Sequence, residues 1–302
     1  MISRAALIQI FQSKLKIARY LLEALVVKFG LWIFLKMKPQ TASDVAATIA
    51  KFIGKKISVH ELARKNISKA LPELTNQENI LDDMWDNLGR IVGEFPHITQ
   101  CPVGEIDHFI EMSDETRLNL ENFKLSGKGG IIFGAHLGNW EVGPKVFLKY
   151  GLNVGTVYRP LNNPYVERMT SLLRGVELIG KSASGSRKII EVIKKGGFVI
   201  ILADQKISEG EPVKFFHDDA ITTTSIARIA LKYDVALIPA RAIRLGKNFK
   251  FRVEAEKPLV ITKSGNINSD VLTATRSINL KLEEWIREFP SQWFWVHDRW
   301  KK

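Results

Sequence analysis

The sequence predicts an α/β fold: a mostly parallel central sheet flanked by helices, preceded by an amphipathic, membrane-associating N-terminal helix. Three observations predict it. Short continuous apolar runs recur from residue 131 onward, helical periodicity fills the spaces between them, and the first 38 residues combine apolarity with positive charge. The chain has 302 residues, 45% hydrophobic and 25% charged, a globular balance that excludes disordered and collagen-like chains. Such a length can bury a large core without metal or disulfide support. Cys101 is the only cysteine, so an intrachain disulfide and a four-thiolate zinc site are both impossible.

The N-terminal segment carries Arg4, Lys14, Lys16, Arg19, Lys28, Lys36 and Lys38 against Glu23 alone. Half of the net charge of +12 thus lies in the most apolar stretch of the chain. The surplus favours an acidic partner, and a basic segment that is also greasy suits anionic lipid better than nucleic acid. From Leu15 to Leu35, charged residues interrupt the apolar run, whereas a spanning helix needs about 18 nearly uncharged residues. No small-residue cleavage site follows to mark a secretory signal. On a helix, Gln12, Lys16, Arg19 and Glu23 share one narrow face and leave a wide apolar one. Such a helix can lie in the bilayer interface; the plainer alternative is a core helix packed on its own domain. Pro39 closes the segment. The expected organisation is a membrane-associating segment, 1–38, and one catalytic domain, 39–302.

Residues 41–123 read as helical, from the three- and four-residue spacing of Val45, Ala46, Ile49 and Ile53 and of Ile80, Met84, Leu88 and Ile91. After the turn Gly127-Lys128-Gly129-Gly130, apolar runs at 131–135, 154–158, 198–203 and 236–240 predict buried parallel strands. Helical stretches such as 187–195 and 223–233 separate them. The alternating run 249–253 predicts an edge strand, and 268–288 a final helix leading into an aromatic and basic tail.

Sites in such sheets form where strand C-terminal ends open into loops. The run 131–135 leads straight into His136, with Glu141 five residues on, a possible base and orienting carboxylate. Five residues on a regular helix turn through about 500°, so the two can meet only if the chain bends between them. Gly138 permits a bend, and Asn139 is a good N-cap. By itself the pair is also compatible with a strand-end histidine capping a turn. No zinc-helix, Walker A, dinucleotide-binding or Gly-x-Ser-x-Gly motif is present.

The stretch Gly134-Ala135-His136-Leu137-Gly138-Asn139-Trp140-Glu141 strongly resembles the signature of the bacterial lipid A biosynthesis acyltransferases. Val157-Tyr158-Arg159-Pro160, Ala203-Asp204-Gln205 and the terminal 292–301 resemble further family segments. Arg174 lies where the family carries an important arginine, and the likeness covers about residues 80–302. The resemblance implies direct acyl transfer from acyl carrier protein to a hydroxyl of a phosphorylated glycolipid, at the cytoplasmic face of the inner membrane. Cofactor, metal and nucleic acid have no part in it. His136 would act as base with Glu141 orienting it, and backbone N–H groups near Gly138 and Asn139 would hold the oxyanion. Arg159, Arg174, Asp204 and Asn139 would bind substrate, the two arginines at phosphate, or Arg174 and Asp204 would instead form a structural ion pair. The basic run from Arg241 to Lys263 would suit docking of the acidic carrier, or is merely solvated. Two alternatives stand beside this: an acyltransferase for another lipid, and a non-catalytic basic protein that binds membrane or nucleic acid.

Overall fold

The computed structural model describes residues 4–206 and 210–300, with side chains from residue 11 onward. The Arg4 side chain and Lys301 and Lys302 of the basic tail lie outside the described residues. Residues 4–100 fold into four helices: α1 (Arg4–Lys36), α2 (Pro39–Gly54), α3 (Val59–Ala70) and α4 (Gln77–Gln100). Pro39 does more than end α1: its fixed φ opens α2 at the first helical turn, where a missing N–H costs nothing. Gly89 and Gly93 seat α4 on α2. A Cβ at either would lie 2.4 Å from the Ala46 oxygen or 2.3 Å from the Ala42 oxygen, so only glycine permits this approach.

The helical reading of 41–123 breaks after α4. Cys101 precedes Pro102 and is forced to an extended ψ of 127°, which ends the helix. A short 3-10 turn and the two-residue strand β1 (Ile110–Glu111) follow, then α5 (Asp114–Leu125). The sheet proper alternates with helices: β2 (Gly130–Gly134), α6 (Gly143–Lys149), β3 (Val154–Tyr158), α7 (Pro164–Arg174), β4 (Glu177–Gly180), α8 (Ala183–Lys194) and β5 (Phe198–Leu202). A hairpin of β6 (Glu211–Phe215) and β7 (Asp218–Thr222) interrupts, before α9 (Ser225–Tyr233), β8 (Ala236–Arg244), β9 (Phe251–Ala255) and α10 (Ile267–Glu288).

Seven strands form one sheet in the order β1-β9-β8-β2-β5-β3-β4, parallel except where β9 meets β8. The predicted edge strand therefore sits one place inside, covered only by two-residue β1. Its alternation holds, with Phe251, Val253 and Ala255 buried and Arg252 exposed. Successive residues of the central strands feed two cores. Ile131, Phe133, Val199 and Leu237 pack under α8, α9 and α10, while Ile132, Ile200 and Ile238 pack under α6. Both faces of the sheet are thus covered, which is why these strands read as unbroken apolar runs.

The N-terminal helix is corrected from one of its two readings. No described side chain of α1 is fully buried, so it is not a core helix. Phe11, Leu22, Leu25, Val26, Phe29 and Trp32 are each more than half exposed. The helix is held at the body by Asn163, which donates to the Tyr20 carbonyl at 2.8 Å and the Glu23 carboxylate at 2.9 Å. Among the described residues, no helix is long and apolar enough to cross a membrane.

The basic run from Arg241 to Lys263 is not one uniform face: Lys247, Lys250, Arg252, Lys257 and Lys263 are exposed, whereas Arg241 and Arg244 are drawn into the fold. Arg241 is paired with Glu254 and Glu288, and Arg244 is 4% exposed, deep against α4. Arg244 donates to both Glu94 oxygens at 2.5 and 2.7 Å and to Asn87 at 2.8 Å. Glu94 also accepts from Ser43 at 2.7 Å and from Asn139 at 2.8 Å. This fully buried carboxylate therefore ties α2, α4, β8 and the turn after β2 together. Removing one partner of such a pair strands the other charge away from water. Glu94→Gln should lower stability by about 3–5 kcal/mol, read as a fall in the urea unfolding midpoint at unchanged slope. A change below about 1 kcal/mol would show that Arg244 finds water or another partner.

Candidate active site at the strand ends

β2 and β5 are neighbours in parallel register, with Gly134 opposite Leu202. Two residues beyond each, His136 and Asp204 stand side by side. The Asp204 Oδ1 lies 2.8 Å from the imidazole Nδ1. Its Oδ2 accepts the His136 backbone N–H at 2.8 Å and the Trp293 indole N–H at 2.8 Å. Burial alone would push this carboxyl's pKa up. The adjacent imidazole and the hydrogen bonds outweigh that and hold it well below the usual carboxylate range. An ionised Asp204 accepts the Nδ1 proton of His136; in the neutral ring the lone pair then sits on Nε2.

That nitrogen faces a cavity of about 310 Å³. Pro144, Val176, Leu178 and Ile200 give it apolar walls, and Glu141, Arg159, Arg174 and Lys181 give it polar ones. Trp140 packs edge-on to the imidazole at 4.9 Å between centroids. A second cavity of about 260 Å³ adjoins it, sharing Val157, Lys181, Leu202 and Gln205. Gln205 Nε2 lies 3.1 Å from His136 Nε2 and 2.8 Å from His297 Nε2. Among the described residues, no cluster of His, Cys, Asp or Glu is grouped to hold a metal ion.

The structure corrects four expectations. Glu141 does not orient His136: its oxygens accept from Arg174 Nε at 2.9 Å and Nη2 at 2.8 Å. The cause is local. Gly138 adopts a left-handed φ of 59°, where a Cβ would strike the Ala242 oxygen at 1.9 Å, and the Asn139 side chain then accepts the Glu141 N–H at 3.2 Å. This bend delivers Glu141 to the C-terminal end of α7. Secondly, Asp204 is no substrate ligand and no partner of Arg174; it lies beneath His136, 1% exposed. Thirdly, Asn139 is fully buried on Glu94 and does not line the cavity. Fourthly, the Gly138 and Asn139 N–H groups are spent on the Gln292 and Ala242 carbonyls, at 3.0 and 3.2 Å, and cannot hold an oxyanion. Arg159 is exposed at the cavity, 3.4 Å from the Asn162 side-chain oxygen.

Gln205 and His297 carry no role in the sequence reading, although each lies in a segment quoted for its family likeness. Nothing in spacing connects residues that are 92 positions apart. The terminal segment reaches the site because Leu137 bridges Trp293 in antiparallel fashion, with Phe294 donating to the His136 carbonyl at 3.0 Å.

A histidine held by a buried carboxylate, beside an apolar cavity rimmed by guanidinium groups, has the make-up of a group-transfer site. The particular family follows from comparison. The sequence profile of the bacterial lipid A biosynthesis acyltransferases matches residues 8–302, and the chain belongs to that family. It is 20% identical over 286 residues to a lipid A biosynthesis acyltransferase of Haemophilus influenzae, covering 91% of this chain and 80% of that one. It is 24% identical over 250 residues to the lipid A biosynthesis palmitoleoyltransferase of Escherichia coli, covering 80% and 78%. With the lauroyltransferase of the same organism it shares 23% over 255 residues, again 80% and 78%. The protein is thus an acyltransferase of lipid A biosynthesis, and the match reaches well upstream of residue 80.

The depressed pKa of Asp204 makes a pH prediction. The unfolded chain binds this proton near pH 4, the folded protein only at lower pH, so the interaction stabilises fully above the unfolded pKa and drains away as acid protonates the native carboxylate. Asp204→Asn should be less stable than the parent at neutral pH, with the difference shrinking steadily below about pH 4. Thermal unfolding across that range measures it; a pH-independent difference would remove the ionised Asp204.

Proposed function

We propose that the protein moves a fatty acyl chain from acyl carrier protein to a hydroxyl of a phosphorylated lipid A precursor, at the cytoplasmic surface of the inner membrane. His136 is the general base, and Asp204 rather than Glu141 positions it. The observation that carries this reading is the 2.8 Å contact between Asp204 and Nδ1, which leaves Nε2 as a lone pair facing the cavity. The acceptor hydroxyl gives its proton to Nε2 as its oxygen attacks the thioester carbonyl. Asp204 stabilises the imidazolium that forms, and the departing thiolate takes the proton back. No covalent acyl-enzyme is required.

Other features support the reading. The apolar walls suit a hydrocarbon chain, and the names of the relatives, lauroyl- and palmitoleoyltransferase, fit that substrate class. Exposed Arg159 suits phosphate on the glycolipid or on the carrier's prosthetic arm. Arg174 serves through Glu141: the pair braces the cavity wall between α7 and the turn after β2. On the outside, α1 and α2 expose Phe29, Trp32, Ile49 and Phe52 beside Lys28, Lys51 and Lys56, a surface suited to an anionic bilayer.

The test is acyl transfer from purified acyl carrier proteins to lipid A precursors, with products identified by mass spectrometry. His136→Ala should lower turnover by about 10²–10⁴-fold; because it also removes the ring partner of buried Asp204 it should lower the unfolding temperature, so turnover is compared where both proteins are folded. Near-normal turnover in the folded variant would remove the mechanism.

A further inference from the structure

We propose that the side-chain amide of Gln205 holds the negative charge that develops on the thioester oxygen, and that His297 keeps the amide in place. The inference rests on the acyl-transfer reading above. That chemistry needs a hydrogen-bond donor beside the base, and the backbone N–H groups of Gly138 and Asn139 are already spent. The Gln205 amide nitrogen carries two hydrogens. One points to His136 Nε2 at 3.1 Å and the other to His297 Nε2 at 2.8 Å. Both rings therefore accept at Nε2, so both are neutral with the proton on Nδ1. Asp204 accounts for that tautomer at His136. Burial, reinforced by nearby Lys181 and Arg299, holds His297 below the ordinary histidine range, which favours its neutral form. The Gln205 backbone is fixed as well, since its carbonyl accepts from buried Arg299 at 3.3 Å.

An acceptor hydroxyl can donate to His136 Nε2 only by taking the place of one Gln205 N–H. The second N–H stays on His297, so the displaced amide remains beside the base instead of swinging into solvent. Its freed N–H then lies within hydrogen-bond reach of the reacting centre. In the addition step, the hydroxyl proton moves to Nε2 and the hydroxyl oxygen bonds to the carbonyl carbon. The carbonyl π pair moves onto its oxygen, which accepts from the freed Gln205 N–H. In collapse, that pair re-forms the carbonyl, the C–S bond breaks with its electrons on sulfur, and the Nε2 proton passes to the thiolate. Gln205 is in this account a catalytic residue and His297 a positioning residue.

The test uses the full chain with acyl carrier protein thioester and glycolipid acceptor. Gln205→Leu keeps most of the volume and removes both donors; kcat should fall by about 10²–10³-fold with KM little changed. Gln205→Glu places a carboxylate between two imidazoles, favouring their charged forms, so the acid limb of the kcat profile should move to higher pH. The charged groups facing this pair are Asp204 beneath His136, Lys181 and Arg299 beside His297, and Arg159 and the Arg174–Glu141 pair across the cavity. His297→Ala should lower kcat less than Gln205→Leu, since the donor survives without its tether. Nitrogen-15 NMR of the resting protein should show unprotonated Nε2 in both rings, a readout independent of substrate. Unchanged kcat in folded Gln205→Leu, an unmoved pH limb in Gln205→Glu, or a protonated Nε2 on either ring would overturn the proposal. Parent protein that transfers no acyl chain at all would instead overturn the acyl-transfer reading on which it rests.

Discussion

The ionised carboxylate of Asp204 is the constraint on which the site depends. A charge removed from water is tolerable only when its lone pairs are used, and here three donors use them. Each donor fixes a different part of the molecule. The ring N–H sets the tautomer of His136, the backbone N–H pins the exit of β2, and the Trp293 indole ties in the C-terminal segment. The register of β2 against β5 makes this possible, because it brings 136 and 204 abreast with no side chain bridging a gap. A one-residue slip of either strand would put the base and its carboxylate on opposite faces.

A second buried charge, Glu94, holds the frame around that site. It binds Arg244 from β8, Ser43 from α2 and Asn139 from the turn, while Asn87 on the same helix donates to the Gly138 carbonyl at 3.0 Å. The turn that carries the left-handed glycine is thus locked from behind by the helical layer. The same lock explains why the two helices approach so closely that Gly89 and Gly93 admit no Cβ. Of the helices that expose apolar surface on the outside, α2 also helps brace this turn on the inside, through Ser43 and Glu94.

Much of this was legible in the sequence, and the rest was hidden for identifiable reasons. The buried parallel strands announced themselves as unbroken apolar runs because both faces of the sheet are covered. β4 has only two apolar residues, and the β6–β7 hairpin interleaves its buried Val213, Phe215 and Ala220 with charge, so neither stood out. His136 was readable from its place at a strand end. Its partner was not, because a spacing argument follows the chain, whereas Asp204 arrives through strand adjacency 68 residues away. The family likeness brought Asp204 and Arg174 to notice but left open whether they bind substrate or pair with each other; Arg174 pairs with Glu141 and Asp204 with His136. A charge count from Arg241 to Lys263 sets the buried Arg244 beside five exposed cations, since counting does not see burial.

The central claim is that His136 works as a unit with Asp204 and only indirectly with Glu141. Two double-mutant cycles on acyl transfer test it most directly, one combining His136→Ala with Asp204→Asn and the other combining it with Glu141→Gln. Groups acting as one device are not additive, so adding Asp204→Asn to His136→Ala should cost almost nothing further in kcat. Adding Glu141→Gln should cost about what it costs in the parent, because that carboxylate acts through Arg174. The reverse pattern, with Glu141 coupled to His136 and Asp204 independent of it, would contradict the account.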